Sequence, residues 1–157
     1  MKRIPDGLGS AFVHGLDAGT DISFSGPWGK FVPREGVSGS TLILATDTGI
    51  TAALGFLRAT RFASLLPQAR LIWLRDSAEY FLPDAFVRTQ IPAACGEVRI
   101  EAIPTVGHQG RIPHARAILH EALSRGDLAQ AFIAGDGAVN QVLFDDLLAV
   151  GVAVSKE

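Results

Sequence analysis

Residues Thr41 to Leu57 read TLILATDTGITAALGFL. The stretch opens with an apolar run, passes through a polar knot around Gly49, and continues with Ile50, Ala53, Leu54 and Leu57 at the i, i+3, i+4, i+7 spacing of one helical face. Strand, tight turn and helix follow one another within seventeen residues. In an open parallel sheet, ligands bind beyond the carboxyl ends of the strands. There a helix N-terminus offers unpaired N–H groups and partial positive charge to a phosphate. Thr46, Asp47, Thr48, Gly49, Ile50 and Thr51 would lie at that point. The hydroxyls of Thr46, Thr48 and Thr51 add donors, and Gly49 lets the backbone bend or approach a ligand closely. Asp47 works against a phosphate by charge, and its alternative role is to cap the helix that follows. The pattern is neither the Walker loop nor the three-glycine dinucleotide fingerprint, so a phosphate cradle and a purely structural turn both stand at this point.

Working outward, the segment ARLIWLRD (69–76) is a second strand candidate, and DSAEYFL (76–82) opens a short helix that Pro83 should end or kink. EVRIEAI (97–103) alternates as a third strand. Pro113 suits the first turn of a helix through ARAILHEALSR, which Gly126 stops. AFIAG (131–135) is a fourth strand, AVNQVLFDDLLAV a closing helix ending at Gly151, and GVAVSKE enters a last strand. Such alternation predicts an α/β fold with a doubly wound, parallel five-stranded sheet and right-handed crossovers. Ahead of the seam EGVSGS (35–40), the segment AFVHGLDAGTDISFSGPWGKFVP (11–33) breaks into short apolar pieces, as hairpins do.

Two further groups fall at the ligand edge of such a sheet. Arg75 and Asp76 close the second strand, where a doubly wound fold reads the adenosine ribose. Asp76 could accept hydrogen bonds from ribose hydroxyls and Arg75 could pair with a 2′-phosphate, so the two point to different nucleotides. Asp76 and Glu79 also have the spacing of a capping box. Gly135, Asp136 and Gly137 follow the fourth strand as either ligand contacts or a tight turn with Asp136 at a helix start.

Composition narrows the function classes. With 48% hydrophobic and 19% charged residues, 157 residues suffice for one globular unit with a core. A net charge of -2 with scattered Lys and Arg gives no basic face for nucleic acid. No apolar run approaches the roughly 20 residues that span a bilayer. A single cysteine, Cys95, and a start lacking a signal peptide's apolar centre point to a reducing cytoplasm. Cys95 itself reads as a small buried hydrophobe or an inert thiol. His108, His114 and His120 recur every six residues, which puts His114 and His120 on different faces of a helix, so no metal site is expected. There is no nucleophile elbow for hydrolysis.

Read in order, SGPWGKF (25–31), ATDTGITA (45–52), LIWLRD (71–76) and AFIAGDGAVNQVLFDDLLAVGV (131–152) resemble the ferredoxin–NADP reductase family of flavoenzymes. Gly26, Pro27, Gly29 and Phe31 match the Gly-Pro-x-Gly-x-Phe stretch with which that family's flavin barrel ends. Gly7, Leu8, Gly9 and Ser10 are similar to its Gly-x-x-Ser, so the resemblance implies contact of Gly7 and Ser10 with a flavin pyrophosphate. It implies residues 1–38 as a short β remnant of the barrel with its linker, and 39–157 as an NAD(P)-binding domain. It implies NAD(P)H as cofactor, with FAD as a second one whose barrel would largely precede Met1. Electrons would pass from NAD(P)H to flavin and on to an acceptor protein.

The chain also departs from the family. The Arg-x-Tyr-Ser flavin motif has no counterpart, which suggests a truncated member, a gene-split subunit or a fragment. Asp47, Thr48 and Gly49 stand where the family usually has Gly-Thr-Gly, and Ala134, Gly135 and Val139 stand where it often has Cys-Gly and a later Met. No catalytic residue is therefore named. The alternative is a non-catalytic nucleotide-binding or interaction module that has lost flavin, and an unrelated doubly wound binder is a further option. A shortened barrel leaves apolar surface and strand edges, so residues 11–33 are expected to pair with a flavin domain, an acceptor or a second copy.

Overall fold

The computed structural model describes residues 7–23, 32–33, 37, 39–76, 80 and 82–156. Its centre is a five-stranded, all-parallel sheet in the order β3-β2-β1-β4-β5. The strands are β1 (Ser40–Thr46), β2 (Ala69–Asp76), β3 (Glu97–Ile103), β4 (Leu128–Ala134) and β5 (Ala153–Lys156). Four helices alternate with them: α2 (Ile50–Leu57), α3 (Asp84–Gln90), α4 (Arg111–Leu123) and α5 (Gly137–Ala149). The doubly wound fold expected from the alternation is the fold observed. The strand order reverses between β1 and β4, and their register brings Ala45 beside Ala134 at the carboxyl ends.

The side chains of β1 alternate between two cores, as a pleat of period two requires. Leu42 and Leu44 join Ile72, Leu74, Ile118, Leu119, Ile133, Leu143 and Leu147 beneath α4 and α5. Ile43 and Ala45 join Ile50, Ala53, Phe56, Leu57, Phe62, Leu71, Trp73 and Phe132 beneath α2. With both faces covered, every residue of β1 is buried, which explains its continuous apolar run. A 3₁₀ stretch, Thr60–Gln68, connects α2 to β2 and inserts Phe62 and Leu66 into the second core. Phe56 rests 4.3 Å, centroid to centroid, from both Phe62 and Phe132.

Two expectations are corrected. Pro83 does not end a helix opened at Asp76. It caps α3, with an extended backbone and φ of -61°, while Tyr80 and Leu82 lie outside any helix. Proline lacks the N–H that a helix interior needs, but its fixed φ suits the entrance to a helix, so this proline starts one. Glu79 lies outside the described residues. The second correction concerns Ala11 to His14, expected in hairpins. They belong to a helix, α1 (Leu8–His14), entered through extended Gly7 and closed where the Gly15 N–H donates to the Ala11 carbonyl at 3.0 Å. The segment LGSAFVH lacks the strict alternation of a half-buried strand, and local i to i+4 bonding takes over. Among the described residues no strand precedes Ser40. The SGPWGKF motif lies outside the described residues.

Candidate functional site

The carboxyl ends of β1, β2 and β4 meet the start of α4 in one bonded cluster. After β1 the chain enters a 3₁₀ turn, Asp47–Gly49, in which Asp47 adopts a left-handed φ of 48°. A non-glycine residue there costs about 1–3 kcal/mol of backbone strain and persists only where its surroundings fix it. They do so on three sides. The Asp47 carbonyl accepts the Trp73 indole N–H at 2.9 Å, one carboxylate oxygen accepts the Asp76 backbone N–H at 2.8 Å, and the other is ion-paired to Arg111. Asp47 therefore does not cap α2, which neither Thr46 nor Gly49 caps with a side chain. Its charge is turned inward and neutralised rather than left facing the helix start.

Arg111 was not singled out from the sequence. It is only 3% exposed, and besides Asp47 it binds the Asp136 carboxylate at 3.0 Å and the Pro104 carbonyl at 2.6 Å. One signal was available: an arginine in the first turn of a helix opposes the positive end of its dipole, and such a placement calls for nearby carboxylates. Asp136 also caps α5, accepting the Ala138 N–H at 3.0 Å, as one of its two sequence readings had it.

Several residues expected at a ligand contact one another. Thr46 is fully buried; its hydroxyl accepts the Asp136 N–H at 2.6 Å. Asn140 completes the joint, its carbonyl accepting the Gly135 N–H at 3.0 Å and its amide donating to Thr46 Oγ1 at 3.2 Å. Gly49 approaches the Ala134 carbonyl so closely that a Cβ would overlap it, and Gly135, at φ 124°, does the same to the Thr46 carbonyl. These glycines weld the β1 and β4 loops together at the point of strand reversal. Ile50 is core. Thr48, Thr51 and Gly137 face solvent, with the Thr51 hydroxyl donating to the Thr48 carbonyl at 2.9 Å.

At the end of β2, Arg75 is clasped by Asp84, its Nε and Nη2 donating at 2.7 and 3.0 Å to the two carboxylate oxygens. That fork anchors the start of α3 to the sheet. Asp76, by contrast, keeps a buried carboxylate oxygen with no hydrogen-bond partner among the described residues. Trp73 stacks edge-on to Tyr80 at 5.5 Å, and burial pushes the Tyr80 hydroxyl pKa up. Gly7 precedes α1 as its N-cap and Ser10 lies on it, far from this sheet in sequence, on a helix with no buried residue.

The fold and this edge define an open α/β domain of the nucleotide-binding type. No family model matches the chain. Ferredoxin–NADP reductase B of Sorangium cellulosum is 32% identical over 111 residues, which cover 70% of this chain and 44% of that relative. The chain thus spans less than half the length of the curated relative it matches. A ferredoxin–NADP⁺ reductase of Plasmodium falciparum, solved with 2′P-AMP, shares 16% identity and a TM-score of 0.63 over 96% of this chain and 66% of its own. The C-terminal domain of a hydrogenase from Pyrococcus furiosus, also 16% identical, has a TM-score of 0.64 over 84% of this chain and 100% of its own. The two solved structures establish the fold. Together with the sequence relative they bear out the resemblance: this chain is similar to the ferredoxin–NADP reductases in their C-terminal, nucleotide-binding domain. No helix among the described residues is long and apolar enough to cross a membrane.

Proposed function

We propose that residues 39–157 form the NAD(P)H-binding portion of a flavin-dependent oxidoreductase of the ferredoxin reductase type. The diphosphate would lie over the uncapped start of α2 at Thr48 and Thr51, and the adenosine ribose against Asp76. The observation that carries this is the edge itself: amides at the helix start with no side-chain cap, beside the partly exposed Asp76 at the end of β2. A carboxylate there accepts hydrogen bonds from ribose hydroxyls. Thr46, Asp47, Gly49, Gly135 and Asp136 then act from beneath, holding the loops in place, and Arg75 holds α3.

Bound NAD(P)H would supply a hydride from its nicotinamide. The chain's contribution is to bind and orient the nucleotide. Leu8 and Phe12 on α1 are 90% and 59% exposed, so we read an isoalloxazine as enclosed by a flavin domain rather than by this helix. We read residues 1–38 as the edge of a flavin domain, and the exposed Leu8, Phe12, Ile22 and Val32 as the surface on which a flavin domain, an acceptor protein or a second copy docks.

The test is titration of the purified chain with NADH and NADPH by calorimetry, alongside its visible absorbance. Saturable binding of at least one nucleotide is expected, from a colourless protein. Lack of binding to both refutes the reading, and flavin bands in the purified protein would show that the chain holds FAD without a separate flavin domain.

A further inference from the structure

Charge pairing across the molecule leaves one basic face uncompensated. Among the described residues, Arg70, Arg75, Arg99, Arg111, Arg116 and Arg125 each form an ion pair with a carboxylate. Arg58, Arg61 and Arg88 are exposed and form none there; Arg58 makes a 3.4 Å bond to the neutral Gln90. Arg58 closes α2, Arg61 follows in the 3₁₀ stretch, and Arg88 lies in the last turn of α3. A helix C-terminus favours a cation, which explains the placement of Arg58 and Arg88 but leaves both charges open to solvent. No Asp or Glu occurs from Thr48 to Arg75 or from Ala85 to Gly96. Between these arginines lies apolar surface. Leu57, Ala63, Leu66, Ile91 and Pro92 line a groove of about 490 Å³ beside Arg58, and Ile91 and Pro92 also line a smaller one of about 210 Å³ that Arg88 borders. Because α2 leads from the carboxyl end of β1 towards the start of β2, these grooves lie away from the nucleotide edge.

The complementary segment is on the chain itself. Asp17 and Asp21 are exposed and make no ion pair among the described residues. Gly19, at φ 90°, turns the chain between them, and the Thr20 N–H donates to the Asp17 carbonyl at 3.1 Å. Ile22, half-exposed, follows directly. We propose that residues 16–23 of one copy dock in the Arg58–Arg88 groove of a second copy, with Asp17 and Asp21 facing the arginines and Ile22 facing the apolar surface. A reciprocal exchange makes two such contacts and closes a twofold dimer. Exposed ion pairs contribute little singly, so apolar burial supplies the attraction while the charges set register and partner choice. This contact is independent of the nucleotide-binding reading, and it commits the surface around Ile22 to a second copy.

Light scattering of the full chain over a range of concentrations tests this. Mass should rise from monomer to dimer, and added salt should favour the monomer. Arg58→Glu with Arg88→Glu sets like charges opposite the arm and should weaken association at least about tenfold, as should Asp17→Lys with Asp21→Lys. Mixing the two variants recreates opposite charges at both contacts and should restore the dimer. All four positions are on the surface, so circular dichroism should show both variants folded. A monomer at every concentration overturns the proposal and leaves the surface to a flavin domain or an acceptor. Association unaffected by either pair of substitutions, or a mixture that stays monomeric, overturns the assignment to arm and groove. If one variant does not fold, Asp17→Asn with Asp21→Asn decides, and an undiminished dimer refutes the contact. Nucleotide titration of the variants should match wild type, so a wild type that binds no nucleotide removes that reading alone.

Discussion

Two buried arginines lie at opposite ends of the same helix, and their surroundings differ. Arg70, at the start of β2, donates to the Ala122 carbonyl in the last turn of α4 at 3.2 Å, to Ser40 Oγ at 2.5 Å and to Asp127 at 2.6 Å. Arg111 sits in the first turn of α4. A cation is favoured at a helix C-terminus and disfavoured at its N-terminus, so Arg70 is placed where the dipole helps. One carboxylate suffices there, and Asp127 remains 57% exposed in an open groove of about 460 Å³. Arg111 is placed against the dipole and held by two carboxylates, the buried Asp47 and the partly buried Asp136. The lesson is that the amino edge of the sheet uses its arginine for closure, whereas the carboxyl edge tolerates an unfavourable placement that engages a cation internally.

The sharpest way to break that contrast is to remove each guanidinium in turn. Arg111→Met should cost about 3–5 kcal/mol, because it leaves Asp47 buried, charged and in a strained backbone conformation. Arg70→Met should cost less, about 1–2 kcal/mol, since Asp127 can be solvated and solvent already screens the pair. Urea unfolding of both variants against wild type measures the difference; equal losses would show that the two edges are energetically alike.

A smaller effect sharpens the boundary of the amino edge. Cys95 lies beside it, its sulfur 3.7 Å from the Ala69 and Glu97 carbonyls, and burial pushes its pKa up. A thiol raised in the folded state keeps its contribution to stability below its ordinary pKa. It loses that contribution as pH rises and the unfolded chain ionises first. Alkylation by iodoacetamide at neutral pH should therefore be slow in the native protein and speed up in denaturant. Rapid native alkylation would place the thiol in an open, activated setting instead.

Much of the architecture could be read from local pattern. The apolar runs of β1, β2 and β4, the period-two third strand and the glycines after α4 and α5 are short-range signals, and Gly126 and Gly151 do take positive φ of 71° and 81°. Pro83 misled because proline marks a boundary without saying on which side the helix lies. At the candidate site, sequence placed Thr46–Thr51, Arg75, Asp76 and Gly135–Gly137 at one sheet edge, and they are there. It could not say whether each meets a ligand or a neighbour. Arg111, Trp73 and Asn140 reach Asp47 or Thr46 across 64, 26 and 94 positions of chain.

What the sequence determined alone was a periodic quantity: which residues face a core, how strands and helices alternate, and hence a doubly wound sheet. Those follow from hydrophobic spacing, which acts within a few residues. Only the tertiary structure decided how the charges at that edge pair. Ion pairing depends on distances between residues far apart in the chain, and a shift of one partner from contact to solvent reverses what a carboxylate or a guanidinium can offer a nucleotide.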